Sequence, residues 1–233
     1  MATEVCDSRE LANVAATRIA SALIATITAQ GRASLALAGG TTPRAAYEAL
    51  AKIPGIDWTR VSVYFGDERA VPPTDPDSNF NMAEAALFSR VPLPRENIFR
   101  IQAELADQDA AALAYEATLP ARISVMVLGI GEDGHTASLF PGQAAVNERE
   151  RRVLPVIGPK PPPQRITLTA PVIRDALQCI VLASGAGKTE AVVRALEGPL
   201  DYSKTPSALA RDGLWLLDPA AAAGLMPSSY TRV

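Results

Sequence analysis

The stretch SVMVLGIGEDGHTASLFPG, residues 124–142, joins a buried strand to a loop of unusual composition. SVMVLG (124–129) is a short apolar run, of the length typical of a buried β-strand. The glycine-rich loop that follows contains His135, the only histidine in the chain. The question is which other residues the fold brings to this loop.

Other parts of the chain repeat the alternation of apolar runs and polar loops. Further strands are predicted at SLALA (34–38), VSVYF (61–65), ITLTA (166–170), CIVLAS (179–184) and LWLLD (214–218). Helical spacing is found in residues 11–30, 78–88, 104–119 and 189–198. Buried strands separated by helices predict an open, mostly parallel α/β sheet with helices on both faces, in a Rossmann-like arrangement. The proline-rich stretches are too short for interdomain linkers, so residues 1–233 are predicted to form a single α/β domain.

The segment LANVAATRIASALIATITAQ (11–30) is long and apolar enough to require a comparison with membrane helices. It contains Arg18 and lacks the leading basic region and the cleavage site of a signal peptide. Its apolar residues recur every fourth position, which predicts a helix that packs on a core. Asp7 or Ser8 is expected to cap this helix, and Gly31 to end it.

Composition limits the possible partners and the cellular compartment. Hydrophobic residues make up 48% of the chain, charged residues 20%, and the net charge is −3. We therefore expect binding neither to nucleic acid nor to an anionic membrane, because no basic field is present. Cys6 and Cys179 form neither a disulfide framework nor a metal-binding motif, which favours a cytoplasmic protein without a metal site.

Several polar loops follow predicted strands and are expected to meet at one edge of the sheet, where ligands bind in such folds. In AGGTTP (38–43), Gly39 and Gly40 let the backbone approach an anion, and Thr41 and Thr42 add hydroxyl donors. The alternative is a tight turn with a threonine cap.

Two cations are candidates for the same anion. Lys188 lies in SGAGK (184–188), which resembles the end of a nucleotide-binding P-loop, but Leu182 stands where that motif requires glycine. Arg165 follows three prolines at a strand entrance. Because the loop is too short for a polyphosphate, we expect Lys188 to bind a single phosphate. Arg165 could pair its N–H groups with the same phosphate, but its segment considered alone favours an exposed arginine. The alternative for each is an exposed surface cation.

Two loops carry candidate catalytic groups. In GDER (66–69), Asp67 could orient a base and Arg69 could stabilise developing negative charge, although a surface ion pair is the equal alternative. In GEDGHT (131–136), Asp133 lies two residues before His135 and could hold its tautomer. Lone histidines are more often structural, but this one lies in a glycine-rich loop and not on an apolar helix face. Without a metal-ligand set or a nucleophile elbow, the hypothesis is that His135 activates water.

Together, AGGTTP, GDERAVPPTDPDSN (66–79), GIGEDGHTASLFPG (129–142), PKPPPQRITLT (159–169) and SGAGK resemble the 6-phosphogluconolactonase family over almost the whole chain. The wider superfamily includes glucosamine-6-phosphate deaminases. The resemblance implies hydrolysis of 6-phospho-D-glucono-1,5-lactone, a phosphorylated sugar lactone, without a cofactor. It assigns Gly40, Thr41, Thr42, Arg165 and Lys188 to the sugar-phosphate end.

By the same resemblance, Asp67, Arg69, Asp133 and His135 belong to the reacting end. One departure is Ala38, which stands where many relatives have serine. Alanine lacks only the serine hydroxyl, so the backbone of this loop is still expected to approach the anion.

Two other functions remain open. An amino-sugar phosphate deaminase or isomerase typically carries a glutamate after the DGH segment, where this chain has Phe140. A non-catalytic sugar-phosphate sensor would need neither His135 nor Arg69, and it is normally fused to a DNA-binding helix-turn-helix. The residues before the predicted strand at 34–38 contain one convincing helix and no basic cluster. The protein is expected to be a monomer or a small homo-oligomer.

Overall fold

The fold is built on a parallel sheet of seven strands. The computed structural model describes residues 2–233. The strands are β1 (Ala2–Val5), β2 (Ala33–Leu37), β3 (Val61–Phe65), β4 (Asp67–Arg69), β5 (Val125–Gly129), β6 (Val153–Ile157), β7 (Gln164–Leu168), β8 (Gln178–Ala183), β9 (Leu214–Leu217) and β10 (Thr231–Arg232). The α-helices are α1 (Leu11–Gln30), α2 (Thr41–Leu50), α3 (Asn79–Ala86), α4 (Gln108–Glu116), α5 (Ala170–Asp175) and α6 (Thr189–Leu196).

The order of strands in the large sheet is β10-β1-β9-β8-β5-β2-β3, and all of these pairs are parallel. The connections from β1 to β2 and from β2 to β3 lead toward the β3 edge of the sheet. The later connections, from β3 through β5, β8 and β9 to β10, lead toward the β10 edge. Right-handed crossovers place the connections of the two directions on opposite faces of the sheet. The direction reverses between the neighbouring strands β2 and β5, which creates a crevice at their carboxyl ends. The predicted open, mostly parallel α/β sheet is confirmed.

The α1 helix packs on the sheet as predicted. Its buried residues include Ile19 and Leu23, and it contacts α2 and several strands of the large sheet. Each of these two fully buried side chains contributes about 1.5–3 kcal/mol to folding. Length and composition alone would also allow this helix to cross a membrane, but its buried face is used for packing inside the protein. Gly31 ends the helix in the left-handed conformation, with φ of 79°.

The structure corrects several details of the sequence prediction. ITLTA does not join the parallel sheet, because β7 pairs antiparallel with β4 and β6 in a separate three-stranded sheet. GDER is not a free loop, since Asp67–Arg69 form β4. The strand at Ala2–Val5 precedes α1, whereas only a helix was expected there. The turn before α1 is capped by Asp7, one of the two predicted residues: its Oδ1 accepts the Arg9 N–H at 2.9 Å and its carbonyl oxygen accepts the Leu11 N–H, whereas Glu10, the residue directly before the helix, makes no side-chain cap.

Candidate active site

A cavity of about 200 Å³ lies at the carboxyl ends of β2, β5 and β8. This is the crevice where the direction of the crossovers reverses, the usual ligand position in an open parallel sheet. Its lining residues are Ala38, Gly39, Gly40, Asp67, Arg69, Gly129, Ile130, Gly131, His135, Ala137, Arg165 and Lys188. Separate loops along the chain therefore bring an imidazole, three cations and a carboxylate into one small space.

Three predicted residues are not part of that lining. Thr41 and Thr42 are the first residues of α2, directly after Gly40. Asp133 lies beside His135 and contacts its ring. A larger cavity of about 600 Å³ opens near Ala2, Gln178 and Leu214, which begin β1, β8 and β9. That cavity is at the amino ends of the strands and contains none of the predicted site residues, so the smaller cavity is the candidate active site.

His135 and Asp133 form a hydrogen-bonded pair. The Asp133 Oδ1 lies 2.6 Å from Nδ1 of His135 and also accepts the His135 backbone N–H at 3.0 Å. Burial tends to raise the pKa of Asp133, but the backbone N–H and the ring of His135 outweigh burial and lower it. The carboxylate therefore stays ionised near neutrality and favours the tautomer with hydrogen on Nδ1. The lone pair of a neutral imidazole is then on Nε2, which makes no hydrogen bond within residues 2–233.

The loop can carry this pair because residue 131 is glycine. A Cβ atom on Gly131 would overlap both the His135 ring and the Asp133 carboxylate. The Gly131 N–H also donates to the His135 carbonyl at 2.8 Å, which closes the turn. On its other side the His135 ring packs against Phe140, with ring centroids 4.7 Å apart. These contacts hold the imidazole in place, which reduces the entropy lost when it reacts.

Replacing Asp133 by asparagine is expected to lower kcat about 10- to 100-fold, with little change in KM. The amide cannot hold the required tautomer, but Asp133 is half exposed, so water partly replaces the lost partner. Steady-state kinetics on the phosphorylated lactone would measure the change. Asp175→Asn removes a surface carboxylate paired with Arg122 and is the control. An unchanged kcat would show that Asp133 does not orient His135 for catalysis.

The register of the small sheet places the remaining charged groups. Asp67 pairs with Thr167 and Arg69 with Arg165 across β4 and β7. Side chains alternate along a strand, so Asp67 and Arg69 share the face toward the cavity and Glu68 points away from it. Two arginines opposite each other repel, and this repulsion is relieved by a nearby carboxylate or a bound anion.

Glu68 ties β4 to α3. Its buried carboxylate accepts the backbone N–H groups of Arg69, Asn79 and Phe80, each at 2.8 Å, and the Ser78 hydroxyl at 3.0 Å. Burial raises the pKa of Glu68, and these hydrogen bonds oppose the increase. The side chain caps the first turn of α3 and thereby fixes the strand that carries Asp67 and Arg69.

Asp67 is buried and held by two neutral donors. Its Oδ2 accepts a hydrogen bond from the Ser138 hydroxyl at 2.5 Å, and its Oδ1 accepts one from Nδ2 of Asn79 at 3.1 Å. An Nη1 atom of Arg165 lies 3.9 Å from Oδ2. Within the described chain, Asp67 has no hydrogen bond to His135, so Asp133 is the carboxylate that orients the imidazole.

Arg165 and Lys188 are the cations of the predicted phosphate end. Arg165 is 8% exposed and lies over the Phe140 ring, 5.7 Å from its centroid. It donates to the carbonyl oxygens of Pro162 and Lys160 at 3.2 and 3.4 Å. Burial lowers the pKa of Arg165, but an arginine remains protonated at neutral pH. Lys188 follows β8 and forms no ion pair with any residue from 2 to 233.

The structure adds residues that the sequence did not single out. Asn79 and Ser138 hold Asp67 in place, and Glu68 anchors β4. Phe140, noted in the sequence only because deaminases carry glutamate there, packs against both His135 and Arg165. Asn79 and Ser138 lie in the stretches that carry the family resemblance, and this position is the signal by which the sequence could have indicated them. No group of three His, Cys, Asp or Glu side chains suited to a metal ion occurs between residues 2 and 233.

Comparison with known proteins gives consistent matches. Residues 6–216 match the family model described as glucosamine-6-phosphate isomerases/6-phosphogluconolactonase. A 6-phosphogluconolactonase of Streptomyces coelicolor is 39% identical over 96% of this chain and 94% of that protein. The 6-phosphogluconolactonase structure from Trypanosoma brucei superposes with a TM-score of 0.86 and 28% identity, over 97% of this chain and 98% of that one. A monomeric glucosamine-6-phosphate deaminase has the same fold, with a TM-score of 0.85 over 96% of this chain and 100% of that chain, but only 23% identity.

Proposed function

Because the chain belongs to the glucosamine-6-phosphate isomerase/6-phosphogluconolactonase family, we propose that it hydrolyses 6-phospho-D-glucono-1,5-lactone to 6-phospho-D-gluconate. This reaction is the second step of the oxidative pentose phosphate pathway. The observation that carries the proposal is His135, which is oriented by Asp133 and shares one cavity with Arg69, Arg165 and Lys188. Such an arrangement suits hydrolysis of a small ester that bears a phosphate at its other end.

In the proposed mechanism, Nε2 of His135 takes a proton from water as the water oxygen attacks the lactone carbonyl carbon, C1. The carbonyl oxygen becomes an oxyanion, which Arg69 and loop N–H groups stabilise. Collapse of the tetrahedral intermediate breaks the bond from C1 to the ring oxygen. Protonated His135 returns its proton to that oxygen, which becomes a hydroxyl. Asp133 stabilises the imidazolium between the two steps.

The phosphate is proposed to bind at the other end of the cavity. Lys188 and Arg165 supply positive charge there, and the backbone at Gly39 and Gly40 lies at the amino end of α2. A helix amino terminus favours a bound anion, and Thr41 and Thr42 are assigned to it as further donors. Asp67, already fixed by Ser138 and Asn79, has oxygen lone pairs left to accept a sugar hydroxyl.

The direct test is a coupled assay with freshly generated 6-phosphogluconolactone, in which spontaneous hydrolysis is subtracted. The protein is expected to accelerate product formation well above that background. Ammonia release from glucosamine 6-phosphate, measured in parallel, tests the deaminase alternative. Hydrolysis at the background rate would refute the proposed function, and binding without turnover would favour the sugar-phosphate sensor.

Lys188→Met is expected to raise KM for the phosphorylated lactone about 10- to 100-fold while kcat changes little. The substitution keeps an unbranched side chain one atom shorter than lysine and removes the charge that contacts the phosphate, a charge-assisted interaction worth about 1.5–3 kcal/mol. Steady-state kinetics measures both constants. Lys52→Met, on an exposed lysine after the end of α2, should change neither. A normal KM in Lys188→Met would refute the assignment of this lysine to phosphate.

We further propose that the protein acts in the cytoplasm as a monomer or a small homo-oligomer. Both cysteines, Cys6 and Cys179, are buried and unpaired, which suits a reducing compartment. Its partner is a small phosphorylated sugar lactone, and the net charge of −3 gives no general attraction to nucleic acid.

A further inference from the structure

A buried carboxylate lies behind the loop that carries Lys188. Asp218 follows β9 directly and is 3% exposed. Its Oδ2 accepts the Ser184 hydroxyl at 2.7 Å, and its two oxygens share the Gly185 N–H at 3.1 and 3.0 Å. Its Oδ1 also accepts the Ala221 N–H at 2.7 Å. This one side chain therefore ties the loop after β8 to the turn after β9.

The carboxylate is stabilised by dipoles. Among residues 2–233 it has no ion pair with a lysine or arginine. Burial tends to raise the pKa of Asp218, but the hydrogen bonds from Ala221, Ser184 and Gly185 outweigh burial and lower it. The Asp218 carboxylate is therefore ionised at neutral pH, and its negative charge lies beside the Ser184 hydroxyl and the Gly185 N–H.

The loop needs such a partner because its turn is conformationally unusual. Gly185 has φ of 92° and ψ of 152°, in a region that only glycine occupies readily. The Gly185 carbonyl accepts the Lys188 N–H at 3.1 Å, so the conformation of the turn determines the position of the Lys188 backbone. Because the Gly185 N–H is used by Asp218, it is not free to bind an anion. The lysine side chain then supplies the phosphate contact of this loop.

We propose that Asp218 is a positioning residue, which holds the Ser184–Gly185 turn so that Lys188 meets the phosphate of the substrate. This inference rests on the proposed function for the identity of the ligand. It predicts that Asp218 affects binding through Lys188 and leaves the chemistry at His135 unchanged.

The test is a double-mutant cycle between Asp218→Asn and Lys188→Met, read by calorimetric binding of 6-phosphogluconate and by steady-state kinetics. Asparagine has the shape of aspartate but cannot accept all of these hydrogen bonds. Asp218→Asn alone is expected to raise KM and the Kd of 6-phosphogluconate about tenfold, with kcat within about twofold. In the Lys188→Met background the same change should alter Kd less than about twofold, because the contact that it positions is already lost.

The matched control is Asp57→Asn. Asp57 likewise accepts a hydroxyl and a backbone N–H, both from Thr59, but it lies before β3 at the opposite edge of the sheet. This variant should bind 6-phosphogluconate like the original protein. Should Asp218→Asn fail to fold, Ser184→Ala removes one donor to the same carboxylate and should raise Kd about threefold.

An equal loss of affinity in both backgrounds would overturn the inference, because Asp218 would then act independently of Lys188. A fall in kcat with unchanged Kd would overturn it as well. Turnover of the lactone by the original protein tests the proposed function separately. If 6-phosphogluconate binds but the lactone is not hydrolysed, the proposed function fails while the cycle still decides the role of Asp218.

Discussion

Replacing His135 by alanine is expected to lower kcat for the phosphorylated lactone about 10²- to 10⁴-fold, the usual contribution of a positioned general base. The imidazole is the only histidine of the chain, and its Nδ1 is held by Asp133 at 2.6 Å. The other carboxylate that lines the cavity, Asp67, accepts hydrogen bonds from Ser138 and Asn79, and its remaining lone pairs are assigned to a sugar hydroxyl. The turnover that remains is expected to come from Arg69, the loop N–H groups and substrate binding.

Binding is the internal control for this variant. His135 is about one-third exposed, and its removal leaves Arg165 and Lys188 untouched, so 6-phosphogluconate should bind within about threefold of the original affinity. Calorimetry would measure that affinity, and the melting temperature would show that the fold is kept. An unchanged kcat would remove His135 from the mechanism, and a parallel loss of binding would show that the ring serves the substrate pocket instead.

The general architecture could be predicted because long apolar runs and helical periodicity are local properties. The helix at Leu11–Gln30 and the strand at Val61–Phe65 have the predicted bounds. By contrast, β10 has only two residues, and the four residues of β1, ATEV, do not form an apolar run. They become strands because neighbouring strands offer hydrogen-bonding partners, which is a property of the tertiary structure.

The small sheet escaped prediction for a related reason. Asp67–Arg69 are three charged residues in a row, a composition with low strand propensity, so the sequence predicts a loop there. They form β4 because β7 lies alongside and because Glu68 is satisfied by the first turn of α3. The pairing of β4 with β7 also explains why two arginines lie together at the site, since the register puts Arg69 opposite Arg165. Seven of the ten predicted site residues line the cavity, whereas Thr41, Thr42 and Asp133 do not, and the partners that hold these residues depend on distant contacts.

Arg69→Gln is expected to lower kcat about 10²- to 10³-fold with a small change in KM, as for loss of one donor to a developing oxyanion. Arg69 lines the cavity, and one Nη atom donates to the Asp77 carbonyl at 2.5 Å. Its Nε is buried and has no hydrogen-bond partner within residues 2–233. A buried donor without a partner is costly, and an oxygen that becomes negative during the reaction would satisfy it.

The kinetic pattern distinguishes this role from phosphate binding, because Arg69 also faces Arg165 across the small sheet. Loss of a residue that binds the phosphate raises KM, whereas loss of one that acts only on the oxyanion lowers kcat. Arg95→Gln, which breaks a surface pair with Glu84, is the control and should leave both constants unchanged. Arg69→Lys keeps the charge but loses the planar set of donors, so it should recover only part of kcat. A raised KM with normal kcat in Arg69→Gln would move Arg69 to the phosphate end and leave loop N–H groups as the donors to the oxyanion.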